Sequence, residues 1–159
     1  LQEQQPGMRL VLAGEYEPSL DPLPEATHRM IENNPAIIHI NWSNQVEYLM
    51  ELADYFVFPS HREGFPNVLL QSGAMQLPII CSAITGNIDI VSDRQTGLIF
   101  EKGNEQQLMR CVQYAMDNAG DMKNMALRLH EEISANYRRE HIWSEILGHY
   151  RSLLNEKNK

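Results

Sequence analysis

Pro59-Ser60-His61-Arg62-Glu63-Gly64-Phe65-Pro66-Asn67-Val68-Leu69-Leu70-Gln71 is the stretch that decides the fold of this 159-residue chain. It follows an apolar run, residues 55–58, that reads as a buried parallel strand, and it leads into residues 68–75, whose apolar spacing is helical. A strand, a tight glycine turn and a helix start therefore meet here. In an open α/β sheet such a junction lies at the carboxyl edge, where backbone N–H groups and the positive end of the next helix point into one crevice.

Within the stretch, Gly64 lets the backbone approach a ligand with no Cβ in the way, and Pro66 pre-sets the backbone angle of a first helical turn. The free amides of Asn67 and Val68 then face outward and suit a phosphate. Glu63 sits at the rim, where a carboxylate accepts hydrogen bonds from hydroxyls. Gln71, about two helical turns further on, offers a second polar group to the same side. An ordinary loop followed by a solvated helix residue has the same spacing, so spacing alone leaves both readings open.

Working outward, residues 8–13 read as a buried strand that Gly14 ends, residues 24–33 as a helix stopped by Asn33-Asn34-Pro35, and residues 36–40 as a second strand. Ser43 or Asn44 can cap a helix over 46–53. Beyond the central stretch, residues 77–81 open a fourth strand, 82–87 form its loop, and 96–100 make a last short strand. Helical patterns follow over 105–118, with Leu108, Met109, Val112, Ala115 and Met116 as the inward stripe, then over 122–137 and 141–154. Asp89 reads as a first-turn carboxylate. The tail from Asn155 reads as frayed. The fold class is α/β, a Rossmann-like open parallel sheet flanked by helices.

Composition narrows the function classes. A mass of 18.3 kDa suits one domain, residues 1–159, with terminal helices over about 121–155. The net charge of −8 and the absence of a Lys/Arg run argue against nucleic acid as a partner. Cys81 lies in a strand pattern and Cys111 in a helical one, which suits buried, reduced thiols and a cytoplasmic setting. No Cys-x-x-Cys or His-Glu-x-x-His spacing occurs, so no metal site is expected. The longest apolar runs are too short to span a bilayer. The chain opens on Leu1 with a strand close behind it, which reads as a fragment of a longer protein.

Glu63-Gly64-Phe65-Pro66-Asn67-Val68-Leu69-Leu70 resembles the EGFPNVLLEA signature of family-4 retaining glycosyltransferases of the GT-B fold (glycosyl transferases group 1). The likeness continues through Gly73-Ala74-Met75, Leu77-Pro78-Ile79-Ile80, Thr85-Gly86, Ile90-Val91 and Thr96-Gly97-Leu98-Ile99-Phe100, in the family's order. It implies one incomplete half of a GT-B fold, the donor-binding C-terminal domain. The implied activity moves a sugar from a nucleotide-sugar, UDP- or GDP-linked, to an acceptor hydroxyl with retention, without metal or cofactor, in surface polysaccharide or glycolipid synthesis. A glycan or lipid-linked acceptor would be held by an N-terminal domain outside this chain. The full-length enzyme is then cytoplasmic, with peripheral association at the inner face of the membrane as an option.

Residue by residue, the resemblance gives Glu63 the catalytic carboxylate that binds donor-sugar hydroxyls. The turn at Gly64, Phe65, Pro66, Asn67 and Val68 surrounds sugar and diphosphate, and Pro66 has no N–H to give. Gly14 would line the nucleotide crevice or act as a plain turn glycine, Trp42 would cover the base or pack at a strand end, and Gly86 would approach the donor sugar and phosphates. His61 reads as a solvated loop residue within reach of a phosphate or hydroxyl.

Two positions depart from the family. Gln71 stands where a glutamate accepts from the ribose, and loss of that charge weakens the bond by about tenfold in affinity. Nothing before Met8 supplies the Arg and Lys that neutralise the diphosphate, so this fragment alone is expected to be inactive. Two rival readings stand beside this one: a degenerate module that binds nucleotide or protein without catalysis, and an unrelated α/β sheet. The second lacks a Gly-x-Gly-x-x-Gly helix opening and an acidic cluster after the first strand.

Overall fold

The structure is a computed structural model that describes residues 5–19 and 22–157. The chain divides into two compact units, residues 1–46 and 47–159.

The first unit is a β-α-β arrangement. Strand β1 (Leu10–Ala13) and strand β2 (Ile37–Ile40) pair in parallel, Leu10 opposite Ile37 and Ala13 opposite Ile40, and helix α1 (Glu25–Asn33) connects them. Pro24 is the residue ahead of α1, where a missing N–H costs nothing, and the Asn34 N–H returns to the Met30 carbonyl to close the helix.

Helix α2 (Val46–Leu52) begins at the division. The second unit is built on β3 (Phe56–Phe58), β4 (Ile79–Ser82) and β5 (Leu98–Phe100), all parallel in the order β3-β4-β5. The helices of this unit after β3 are α3 (Asn67–Ala74), α4 (Glu105–Asp117), α5 (Ala119–Asn136) and α6 (Arg139–Lys157). The sequence reading of an α/β chain with parallel strands and flanking helices holds, with the hydrogen-bonded strands falling into two sheets of two and three.

Side chains alternate across a strand, and both faces of this sheet are covered. Ile79 and Cys81 face one cluster with Leu69 from α3, Val91 from the segment after β4, and Leu129 and Ile133 from the latter half of α5. Ile80, Leu98 and Phe100 face the other, with Ala115, Met122 and Met125 from α4 and the start of α5. Every residue of β4 is buried. That is why its apolar run is continuous rather than alternating.

Several expectations shift. The fourth and fifth strands start two residues later than read, because the Leu77 N–H closes a turn onto the Ser72 carbonyl and the Thr96 hydroxyl takes the Ser92 N–H. Met109 is 51% exposed and does not belong to the α4 stripe; Cys111 packs there instead, with Leu108, Val112 and Ala115 at helical spacing. Residues 85–90 form successive turns and no helix, so Asp89 does not open one. The helix α6 continues through Lys157, which overturns the frayed tail from Asn155; residues 158–159 lie outside those described. While α5 buries its apolar side, α6 leaves Trp143, Leu147 and Tyr150 more than half exposed.

Burial, then the charge of Asp93 and the nearby Cys111, pushes the Cys81 thiol from its ordinary 9.0 up to about 12. The unfolded thiol loses its proton first, so the folded state holds more protons above pH 9. This contribution to stability is complete below that pH and is lost as pH rises toward 12. Urea midpoints at pH 8 and pH 10.5 are expected to fall more steeply for the native protein than for Cys81→Ala, and parallel falls would contradict it.

Candidate functional site

Parallel strands deliver their carboxyl ends to one edge, so the segments after Phe58, Ser82 and Phe100 emerge side by side. The central stretch is the first of these. Helix α3 starts at Asn67, one residue before the sequence reading, and Pro66 precedes it as an extended residue (φ −77°, ψ 101°) rather than sitting in the first turn. Pro66 is buried and its carbonyl takes the Leu69 N–H at 3.0 Å.

No side chain caps α3 and no acidic residue lies in its first turn. In contrast, α4 is capped by Asn104, whose side chain accepts from the Gln107 N–H. The amides of Asn67 and Val68 precede the first bonded amide of α3, so they remain as donors at the positive end of the helix. An anion is the natural acceptor for such a terminus.

Glu63 is half-buried at this end, with Oε1 accepting from the Ser60 hydroxyl at 2.7 Å. One carboxylate oxygen is therefore fixed, and the other stays available to a ligand. A Cβ added to Gly64 would meet no heavy atom within 4 Å. The space beside Gly64 is open rather than filled by protein, as the approach of a ligand requires. Phe65 packs its ring on Tyr137 with centroids 5.8 Å apart, which ties the turn to the end of α5. His61 and Arg62 are exposed.

The segment after β4 closes the other side. Gly86 has φ +88°, and a Cβ there would fall 2.5 Å from the Gly64 carbonyl oxygen and 3.1 Å from Pro66 Cδ. The two glycine turns are in contact. The Gly86 N–H donates to Asp89 Oδ2 at 3.1 Å, so Asp89 holds the turn in shape. Beneath it, Asn87 Nδ2 donates to the Ser82 carbonyl (3.0 Å) and to Ser82 Oγ (3.3 Å), and Ser82 Oγ donates to the Ser60 carbonyl.

Gln71 lies on α3 with its side chain exposed while Leu69, Ser72 and Gly73 are buried. Because α3 begins only at Asn67, Gln71 stands about one turn into the helix rather than two turns from Glu63.

Gly14 and Trp42 belong to the first unit, and the turn that carries Glu63 belongs to the second. Gly14 follows β1 with φ +141°, its N–H donates to the Ile40 carbonyl at 2.9 Å, and its carbonyl lies 2.8 Å from His39 Nε2. Trp42 is 70% exposed and its indole N–H donates to Asn44 Oδ1 at 2.9 Å. Tyr16 lies tilted against His39 (centroids 4.3 Å) and meets His28 edge-on (4.6 Å), a cluster with no regular spacing in the sequence.

Sequence reasoning missed Ser60, Ser82 and Asn87. Ser60 stood in plain view three residues before Glu63, but the link from Ser82 and Asn87 depends on which strand neighbours β3. Among the described residues no group of three or more His, Cys, Asp or Glu is placed to hold a metal ion, and no helix is long and apolar enough to cross a membrane.

The sequence model of the family described as glycosyl transferases group 1 matches residues 1–133. The capsular polysaccharide biosynthesis glycosyltransferase CapM of Staphylococcus aureus is 27% identical over 151 residues, 94% of this chain and 39% of its own length. The structure of Anabaena Alr3699/HepE in complex with UDP-glucose superposes with a TM-score of 0.84 at 16% identity, over 92% of this chain and 42% of that one. The C-terminal domain of the group 1 glycosyl transferase family protein LpcC from Francisella tularensis superposes at 0.76 with 22% identity, over 87% and 74%. The fold is thus that of one half of a GT-B glycosyltransferase, and the chain spans about two fifths of the length of its curated relative.

Proposed function

The chain belongs to the glycosyl transferases group 1 family, and from that membership we propose that residues 1–159 form the donor-binding, C-terminal domain of a retaining, family-4 enzyme. The whole protein transfers a sugar from a UDP- or GDP-linked donor to a hydroxyl of a glycan or lipid-linked acceptor, in surface polysaccharide or glycolipid synthesis. The similarity to CapM, a capsular polysaccharide biosynthesis glycosyltransferase, supports the pathway class.

The observation that carries this reading is the uncapped start of α3 beside open space at Gly64 and a half-buried Glu63. Glu63 accepts hydrogen bonds from the hydroxyls of the donor sugar. The Asn67 and Val68 amides, with that of Phe65, take the diphosphate. In the reaction the acceptor oxygen bonds to the anomeric carbon as the bond from that carbon to the phosphate oxygen breaks, the nucleoside diphosphate leaves with the electron pair, and the acceptor hydroxyl gives its proton to the departing diphosphate. Charge on the leaving group is met by the helix end and by basic side chains outside residues 1–159, with no metal. In this reading residues 1–159 by themselves bind donor but do not turn it over, and a peripheral seat at the inner face of the membrane would bring the enzyme to a lipid-linked acceptor.

Calorimetric titration of UDP, GDP and ADP, then of their sugars, into the full-length protein tests the reading. Tight binding of one nucleotide and its sugar is expected; binding of none defeats it. One observation, the neutral Gln71 where the resembled family carries a glutamate, favours a non-catalytic nucleotide-binding module instead. If ribose is held here, Gln71→Glu tightens nucleotide binding about tenfold, the difference between a neutral and a charge-assisted hydrogen bond. No change in affinity or turnover would favour the module.

A further inference from the structure

We propose that Ser60, Ser82 and Asn87 form a hydrogen-bonded relay that sets the orientation of the Glu63 carboxylate, so that Ser60, Ser82 and Asn87 are positioning residues for the donor sugar. The inference rests on the donor-site reading above and assigns it a supporting set of residues.

The relay runs in one direction. Asn87 donates both to the Ser82 carbonyl at 3.0 Å and to Ser82 Oγ at 3.3 Å. With its oxygen occupied as an acceptor, Ser82 Oγ gives its own proton to the Ser60 carbonyl. A hydroxyl that accepts a hydrogen bond is the stronger donor for it. The Ser60 backbone is thereby pinned to the end of β4, and its hydroxyl donates to Glu63 Oε1 at 2.7 Å in preference to the Arg62 carbonyl at 3.4 Å. The four residues join the two glycine turns that touch at Gly64 and Gly86.

A second observation separates this set from ordinary packing. Ser82 and Asn87 are both fully buried, and Asn87 Oδ1 has no hydrogen-bond partner among the described residues. A buried amide left half satisfied costs stability that an apolar residue of like size would not. Retaining it at this position fits a role in holding Glu63 better than a role in the core.

The test uses the full-length protein with UDP and UDP-glucose, and GDP with GDP-mannose as a second pair, measured by calorimetry. Ser60→Ala and Ser82→Ala are each expected to weaken binding of the nucleotide-sugar about tenfold while binding of the free nucleotide changes less than twofold. Ser60→Thr, which keeps the hydroxyl, restores the native ratio; Ser60→Val, of the same shape without it, does not. This pair decides the matter if Ser82→Ala proves unstable. An unchanged ratio of nucleotide-sugar to nucleotide affinity in Ser60→Ala and Ser60→Val, or an equal loss of both, overturns the relay while leaving the donor site standing. If the native protein binds neither pair, the donor-site reading fails and the relay with it.

Discussion

Glu63→Gln in the full-length enzyme is expected to lower kcat by about 100-fold while nucleotide affinity stays within about twofold. The substitution keeps shape and one acceptor oxygen and removes the charge. Two sugar hydroxyls that bond a carboxylate would then bond a neutral amide, and each bond forfeits about 1–2 kcal/mol at the transition state. The Ser60 hydroxyl, which holds Oε1 at 2.7 Å, retains an oxygen to face, so the turn itself stays in place. Because the amides at the start of α3 are untouched, the diphosphate is held as before. The split between kcat and free-nucleotide affinity therefore distinguishes loss of a sugar contact from general damage. A kcat within threefold of the native value would remove Glu63 from its assigned role.

The second large effect concerns Gly86. Gly86→Ala is expected to destabilise the protein by about 2–4 kcal/mol, because φ +88° is open to glycine but strained for alanine and the new Cβ would fall 2.5 Å from the Gly64 carbonyl oxygen. That oxygen belongs to backbone and cannot swing away as a side-chain end would. Relief requires the two glycine turns to part, which also moves the Gly86 N–H off Asp89 and displaces Glu63, so donor binding falls together with stability. Gly64→Ala is the informative counterpart. Its Cβ meets nothing within 4 Å, so unfolding is expected to change by less than about 0.5 kcal/mol, whereas a methyl group in the open space obstructs the donor. Urea unfolding and nucleotide-sugar titration on both variants check the pair. Equal stability of Gly86→Ala and the native protein would show that the contact yields more easily than backbone permits.

Much of the fold is legible from local pattern. The continuous apolar run Ile79-Ile80-Cys81 requires cover on both faces, and the structure provides it from α3, α4 and α5. Helix boundaries were read to within a few residues where a cap or breaker marks them, as at Pro24, Pro66 and Asn104. Met109 misled because a methionine at helical spacing looks the same whether its side faces the sheet or solvent, and only the packing partner tells them apart. Asp89 misled for a related reason. A carboxylate three residues after a glycine suits a helix start, yet it also suits a turn in which it takes the glycine N–H, and the latter is what forms.

By itself the sequence determined the α/β class, the parallel strands, and the placing of Glu63 and the glycine turn at a strand's carboxyl end. All of these follow from side-chain period and from the backbone limits of glycine and proline, which act within a few residues. Tertiary structure alone decided that Ser82 reaches the Ser60 carbonyl and that Gly86 stands against Gly64. These contacts join positions about 20 residues apart in sequence, across the pairing of β3 with β4. A hydrogen-bond partner is fixed by a few ångströms of distance, and the order of strands in a sheet leaves no periodic trace in the chain.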